Sequence, residues 1–237
     1  MKPLLGLLLL ATAGCSGFAS PTAEQLQLLP LVPRPAAPVV ERLRIQISVD
    51  SPWLVGEFEG VVLARSGSEP PVIRLQLFGD VGPKMLDLLA SPDRMIGYFP
   101  QIREGIDCTL PREAAPHPLL FLGASLVEMF TPISADRVLG IREEEQGWWI
   151  KLEPAIRGMR SLVFRNPAGA WSRRRYFWMY GVGWDEDWSH PDRWSITAPH
   201  IALRVRILER ERGASAKPTD FELKVPSDVA IVVGSRK

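Results

Sequence analysis

From Glu41 onward, hydrophobic and polar positions alternate with a period of two. Arg44-Ile45-Gln46-Ile47-Ser48-Val49 alternates cleanly, as do Ile73, Leu75 and Leu77 against Arg74 and Gln76. The pattern recurs in Ile201, Leu203, Val205 and Ile207 against Arg204 and Arg206, and in Phe221, Leu223 and Val225 against Glu222 and Lys224. Such alternation describes antiparallel strands with one apolar and one solvated face. Further strands are predicted over 56–64, 84–90, 94–99, 101–108, 137–143, 147–153, 159–165 and 172–180. Turn signals such as Ser66-Gly67-Ser68, Ser91-Pro92-Asp93 and Asn166-Pro167-Ala168-Gly169 separate them. With no alternation of strands and helices, the sheet is expected to meander.

One segment breaks the period. Pro116 to Phe130 is a helix-length run, apolar on most sides, with Pro118 suited to its first turn and Pro132 beyond its end. A helix apolar nearly all round has to be buried, and the concave face of an antiparallel sheet is the natural place for it, as a lid. Its role is either to fill the core or to line and gate a cavity.

The N-terminus carries a different pattern. Lys2, the apolar stretch Leu4 to Ala11, and Thr12-Ala13-Gly14-Cys15 together have the form of a bacterial secretory signal. Ala13-Gly14 directly before Cys15 resembles a lipobox, with Thr12 where Leu is usual. Residues 1–14 are then a lipoprotein signal peptide, and Cys15 becomes the acylated first residue, carrying chains such as palmitate. The alternative is ordinary cleavage after Ala13, which leaves Cys15 as a bare thiol. Ser16, where Asp would resemble an inner-membrane retention signal, favours the outer membrane. Residues 15–40 contain Pro21, Pro30, Pro33, Pro35 and Pro38 and are expected to be a tether. Within it, Leu26, Leu28, Leu29 and Leu31 form either a packed short helix or a docking segment. Residues 41–237 form one domain.

Composition narrows the classes. The chain has 237 residues, 46% of them hydrophobic, which supports a sizeable core and excludes disorder from low hydrophobicity. Its 28 Lys plus Arg against 27 Asp plus Glu argue against nucleic acid as a partner. Beyond residue 14, no apolar run approaches the roughly 20 residues needed to cross a bilayer. With Cys15 acylated, Cys108 remains alone and no intramolecular disulfide forms; membrane attachment comes from acyl chains and not from basic residues.

Two stretches carry a resemblance. The first is Arg74-Leu75-Gln76-Leu77-Phe78-Gly79-Asp80-Val81-Gly82-Pro83-Lys84-Met85-Leu86-Asp87-Leu88-Leu89, followed by Asp93-Arg94-Met95-Ile96-Gly97-Tyr98-Phe99-Pro100. The second is the ending Phe221-Glu222-Leu223-Lys224-Val225-Pro226-Ser227-Asp228-Val229. Together they resemble the LolA/LolB-like lipoprotein-carrier superfamily, including its closing strand and Pro-x-x-Val tail. The resemblance covers about 71–110 in motif and 43–225 in pattern. It implies a mainly β fold, an incomplete antiparallel β-barrel (half-barrel) with an α-helical lid. It also implies an apolar groove for acyl chains, lined by Ile45, Ile47, Ile73, Leu75, Leu77, Leu86 and Leu88, with Leu120 and Phe121 from the lid. In LolB-like receptors an apolar residue projects from a turn toward the membrane; Val81 before Gly82 occupies that place, although an ordinary turn residue fits equally.

Residues 171–194 depart from the family pattern. Trp171, Tyr176, Phe177, Trp178, Tyr180, Trp184, Trp188 and Trp194 crowd around Arg173, Arg174 and Arg175. They form either an aromatic strand followed by a loop packed on the barrel end, or a partner surface of Arg173, Arg174, Arg175, Trp178 and Trp184 for an envelope protein or a headgroup.

Enzyme chemistry finds little support. Asp185, Glu186, Asp187 and His190 form a dense cluster of hard ligands without a recognised metal spacing, and His117, His190 and His200 each adjoin a proline. Nucleophile-elbow, zinc-protease and phosphate-loop motifs are absent. Neither a metal nor a cofactor is expected. The sequence points to a lipid-anchored, periplasm-facing outer-membrane protein that binds acyl chains of lipoproteins or lipids and aids their placement. The alternative is a non-transporting structural lipoprotein, an interaction module of an envelope assembly.

Overall fold

The structure, a computed structural model, describes residues 17–237 except 33, 53, 68, 80–81, 111–117, 179–182 and 234–237, with the backbone alone at 118–120, 176–178 and 232–233. A first meander comprises β1 (Val39–Asp50), β2 (Val55–Ser66), β3 (Val72–Phe78), β4 (Lys84–Ala90), β5 (Arg94–Phe99) and β6 (Glu104–Thr109). A second comprises β7 (Val138–Glu144), β8 (Gly147–Leu152), β9 (Met159–Arg165), β10 (Trp171–Trp178), β11 (Gly183–His190), β12 (Arg193–Ala198) and β13 (Ile201–Arg212). With β14 (Ala230–Val233) they form one open sheet in the order β14-β6-β5-β4-β3-β2-β1-β13-β12-β11-β10-β9-β8-β7. The fold is mainly β, a half-barrel whose edges do not meet.

Alternation decides the faces. Ile45, Ile47, Ile73, Leu75, Leu77, Leu86 and Leu88 lie on the concave side and are at most 1% exposed. Helix α2 (Pro118–Met129) follows β6, lies over β3, β4 and β5, and delivers the chain to β7 at the opposite edge. Gly123 permits this close approach, since a Cβ there would lie 2.7 Å from Met95 Sδ. Short of Pro118, the helix predicted from residue 116 falls outside the described residues.

The stretch expected to be a tether lies, from Gly17, along the β7 edge. Ala19 and Ile141 exchange backbone hydrogen bonds of 2.9 and 2.8 Å. A six-residue helix α1 (Ala23–Leu28) is capped by Thr22 and Gln25. Leu29 is buried with Ile133, Val138, Ile141, Ile150, Leu152 and Val163, and Leu26 and Leu31 pack against them. This is the packed alternative for Leu26, Leu29 and Leu31, which remove from water apolar surface on β7 to β9, while Leu28 stays exposed.

Two predicted elements, and the expectation of a wholly antiparallel sheet, are corrected. Gly183-Trp184, expected in a loop, opens β11, and β12 follows it. Residues 221–225, expected as a strand, instead follow a short 3-10 turn (Pro218–Phe221) in a strap that crosses the convex face. There the Arg65 guanidinium stands 5.1 Å from the Phe221 ring centre, and Arg74 Nη1 donates to Asp220 O at 3.1 Å. The strap is tied by an Arg103–Asp228 ion pair and ends in β14, which pairs with β6 in parallel, so the sheet is not wholly antiparallel.

Candidate functional site: a lidded concave face divided by a polar seam

A single row of inward side chains describes the concave face. Ile141, Ile150, Val163, Arg174, Glu186, Ile196, Leu203 and Val49 face one another in successive strand registers. The row is aliphatic except at its centre. Arg174 on β10 and Glu186 on β11 thus form a polar seam between two apolar basins. The larger basin lies beneath α2 and the smaller beneath the α1 segment.

Helix α2 meets the seam from above through Ser125 and the Glu128 carbonyl. Glu186, 2% exposed, accepts from Trp184 Nε1 at 3.2 Å and Trp188 Nε1 at 2.8 Å. Trp184 Nε1 also donates to Ser125 Oγ of α2 at 3.1 Å. Burial pushes the Glu186 carboxyl above its ordinary range, outweighing the opposing effects of Arg174, Ser125 and the two indoles. Arg174 Nη1 donates to Glu128 O at 3.1 Å, placing a cation at the C-terminal end of α2, where helix dipoles favour one. Its guanidinium stands 5.2 Å from the Trp188 ring centre.

Further along the helix, Glu128 and Arg137 form a buried pair at 2.9 Å, the two side chains 2% and 4% exposed. Arg137 also donates to Glu153 O and Pro132 O at 2.8 and 3.0 Å, and Glu128 accepts from Ala155 N–H. The C-terminal half of α2 is therefore fixed by side-chain hydrogen bonds. Its described N-terminal part is held by apolar contact, chiefly Phe121, edge-on to Trp184 at 5.2 Å, and Leu122.

Phe121 joins the seven strand residues expected to line the groove in one buried cluster. Cys15, Val81 and the side chains of Leu120 and Trp178 lie outside the described residues. The arginine and tryptophan set does not share a surface. Arg173 and Arg175 point outward, Arg175 pairing with Asp185 at 2.6 Å, whereas Arg174 is inward and Trp184 is 2% exposed. Strand parity also splits the acidic cluster, sending Asp185 and Asp187 outward and Glu186 inward. Among the described residues, no group of three or more His, Cys, Asp or Glu is placed to hold a metal ion. No described helix is long and apolar enough to cross a membrane.

Ser125, Glu128 and Glu186 were not anticipated as site residues. The available signals were two polar residues three apart in an otherwise apolar helix, and the parity of Trp184, Glu186 and Trp188.

A curved open sheet with an apolar helix across its hollow defines the class as a lidded half-barrel. Two solved structures are similar to it. One is a DUF1329 family protein from Desulfovibrio piger, with a TM-score of 0.55, 10% identity, and 77% of this chain and 89% of that chain covered. The other is a putative outer membrane lipoprotein-sorting protein domain from Vibrio parahaemolyticus, with a TM-score of 0.53, 7% identity, and 77% and 88% covered. At these identities the likeness is one of fold. No protein-family model and no curated protein matches the sequence.

Proposed function

We propose that the protein binds an acyl chain of a lipoprotein or lipid on the concave face beneath α2 and aids its placement in the outer membrane. In this proposal the chain is held there by an acylated Cys15 and performs no catalysis. One observation carries the reading: apolar side chains line both the sheet and the described N-terminal part of the helix, while the hydrogen bonds that tie the helix concentrate at its other end. Such a helix pivots about its C-terminal end and uncovers apolar surface. The magnitudes permit exchange. About a dozen methylenes at roughly 0.8 kcal/mol each contribute about 10 kcal/mol. Re-exposing Phe121, Leu122, Leu126 and Val127 of α2 costs about 6–12 kcal/mol. The two nearly balance, as reversible loading requires. The fold shared with a lipoprotein-sorting domain supports the same reading.

Native mass spectrometry of the purified chain, combined with amide exchange, tests it. The expected result is a co-purifying lipid, α2 amides that exchange faster than those of β3 and β13, and a selective change on adding a fatty acid. Lipid-free protein whose α2 amides are protected to the global unfolding limit, with or without fatty acid, would leave only the second reading, an envelope interaction module. That reading is favoured by the burial of every residue from Phe121 to Glu128.

A further inference from the structure

On the convex side, away from α2 and the C-terminal strap, β1, β11, β12 and β13 form a groove of about 660 Å³. Its floor contains Arg193, Arg204 and Arg206, all exposed, with Ser48, Ser195 and Gln46 between them. Arg193 and Arg206 are direct cross-strand partners, and Arg204 faces Ser195 on one side and Ser48 on the other. Like charges placed directly opposite destabilise a sheet. Elsewhere on this face Arg44 pairs with Glu209 and Arg175 with Asp185. Among the described residues, none of the three groove arginines makes an ion pair.

Two carboxylates, Glu57 and Asp187, also line the groove, and among the described residues neither forms an ion pair with these arginines. Glu57 faces Ser48 and Glu59 faces Gln46, which puts each two strands, or about 9–10 Å, from Arg204 and Arg206. Asp187 faces Ser195 and accepts from Ser189 N–H at 2.8 Å. Three guanidinium groups lining one groove with hydroxyls between them offer donors suited to a tetrahedral oxyanion, since guanidinium groups bind phosphate oxygens through paired N–H donors. We infer that this groove binds a phosphoryl group, carried either by a lipid headgroup or by a free phosphate compound. The site is independent of the concave face, so it stands or falls apart from acyl binding.

The test uses the full chain, R204Q/R206Q, R193Q, and R44Q as a control on the same face outside the groove. Thermal midpoints are measured with and without inorganic phosphate at low salt. Capture is compared on phosphatidylglycerol and phosphatidylcholine vesicles, the difference between them cancelling any acyl anchor. A ligand that binds only the folded state raises the midpoint. The parent and R44Q are expected to respond to phosphate, to phosphatidylglycerol, or to both, with R204Q/R206Q weakened about tenfold or more and R193Q by a smaller factor. Selective vesicle capture without a response to inorganic phosphate assigns the group to a lipid; the converse assigns it to a free compound. R193Q keeps the test decisive should the double variant fold poorly. No response of the parent to either probe, or a response that the groove variants retain within about twofold, overturns the inference.

Discussion

The two faces of the sheet each bury a carboxylate, and they treat it in opposite ways. On the convex face, beneath the strap, Asp87 is 1% exposed. It accepts a two-pronged bond from Arg74, with both contacts at 3.1 Å, one from Lys84 at 2.6 Å and one from Gln76 at 3.1 Å. Burial alone would raise its pKa, but these donors together outweigh that effect and hold it below the ordinary carboxylate range. On the concave face, beneath the lid, Glu186 receives neutral indole donors, and burial prevails. Asp87 is thus held ionised by cationic partners in the sheet, whereas Glu186 resists ionisation beneath a lid whose charged tie, Glu128–Arg137, lies at its C-terminal end. A cover meant to stay suits the first arrangement; a cover that separates suits the second, because its opening hydrates the group.

Removing the charge-linked carboxylate has the largest expected effect. Asp87→Ala leaves Arg74 and Lys84 without their shared partner, at a cost of about 3–5 kcal/mol, read from urea unfolding. Phe121→Ala should cost about 3 kcal/mol in the lipid-free state, because the ring is 4% exposed and packed on Trp184. Its effect should shrink in lipid-loaded protein, where the helix is displaced; an equal cost in both states would make Phe121 a plain core residue. Glu186→Gln should change stability by no more than about 1 kcal/mol and should stabilise at neutral pH, since an amide is buried without the cost of charge.

The pH dependence separates the carboxylates most finely. The lowered pKa of Asp87 contributes stability above the unfolded carboxylate value, lost as pH falls through the folded one. The raised pKa of Glu186 contributes stability below the unfolded value, lost as pH rises through the folded one. Thermal midpoints of the parent minus those of Glu186→Gln should therefore fall as pH rises from the carboxylate range upward. A flat difference would mean that Glu186 does not titrate under the lid.

The half-barrel was legible in the sequence wherever burial and strand parity coincide. In β1, β3 and β13 the aliphatic residues are the buried ones, and the predicted strands are there. β11 escaped because its inward positions hold Trp184 and Glu186 between exposed Asp185 and Asp187, so parity survives but hydropathy does not report it. Residues 221–225 misled for the opposite reason. Phe221 is buried and Leu223 and Val225 are half-buried, but against the back of the sheet. A two-residue period reports an extended chain with one covered side; it does not report ladder hydrogen bonds. The lid was foreseen from its apolar length. The seam beneath it was not, because Arg174, Glu186, Ser125 and Glu128 meet only once distant elements are superposed.

The order of strands also bears on how the chain reaches this state. Within each meander, neighbouring strands are joined by short connections, so their pairings close early and at little entropic cost. The seam between β1 and β13 is different, since it joins residues as remote as Ile47 and Val205. Loop-closure cost grows by only about 0.6 kcal/mol per doubling of length, so this junction is not weak at equilibrium. It is slow, because non-local pairings form after local ones. Until it closes, β1 and β13 each present an unpaired edge, and this is the interval in which two copies are most exposed to pairing with each other.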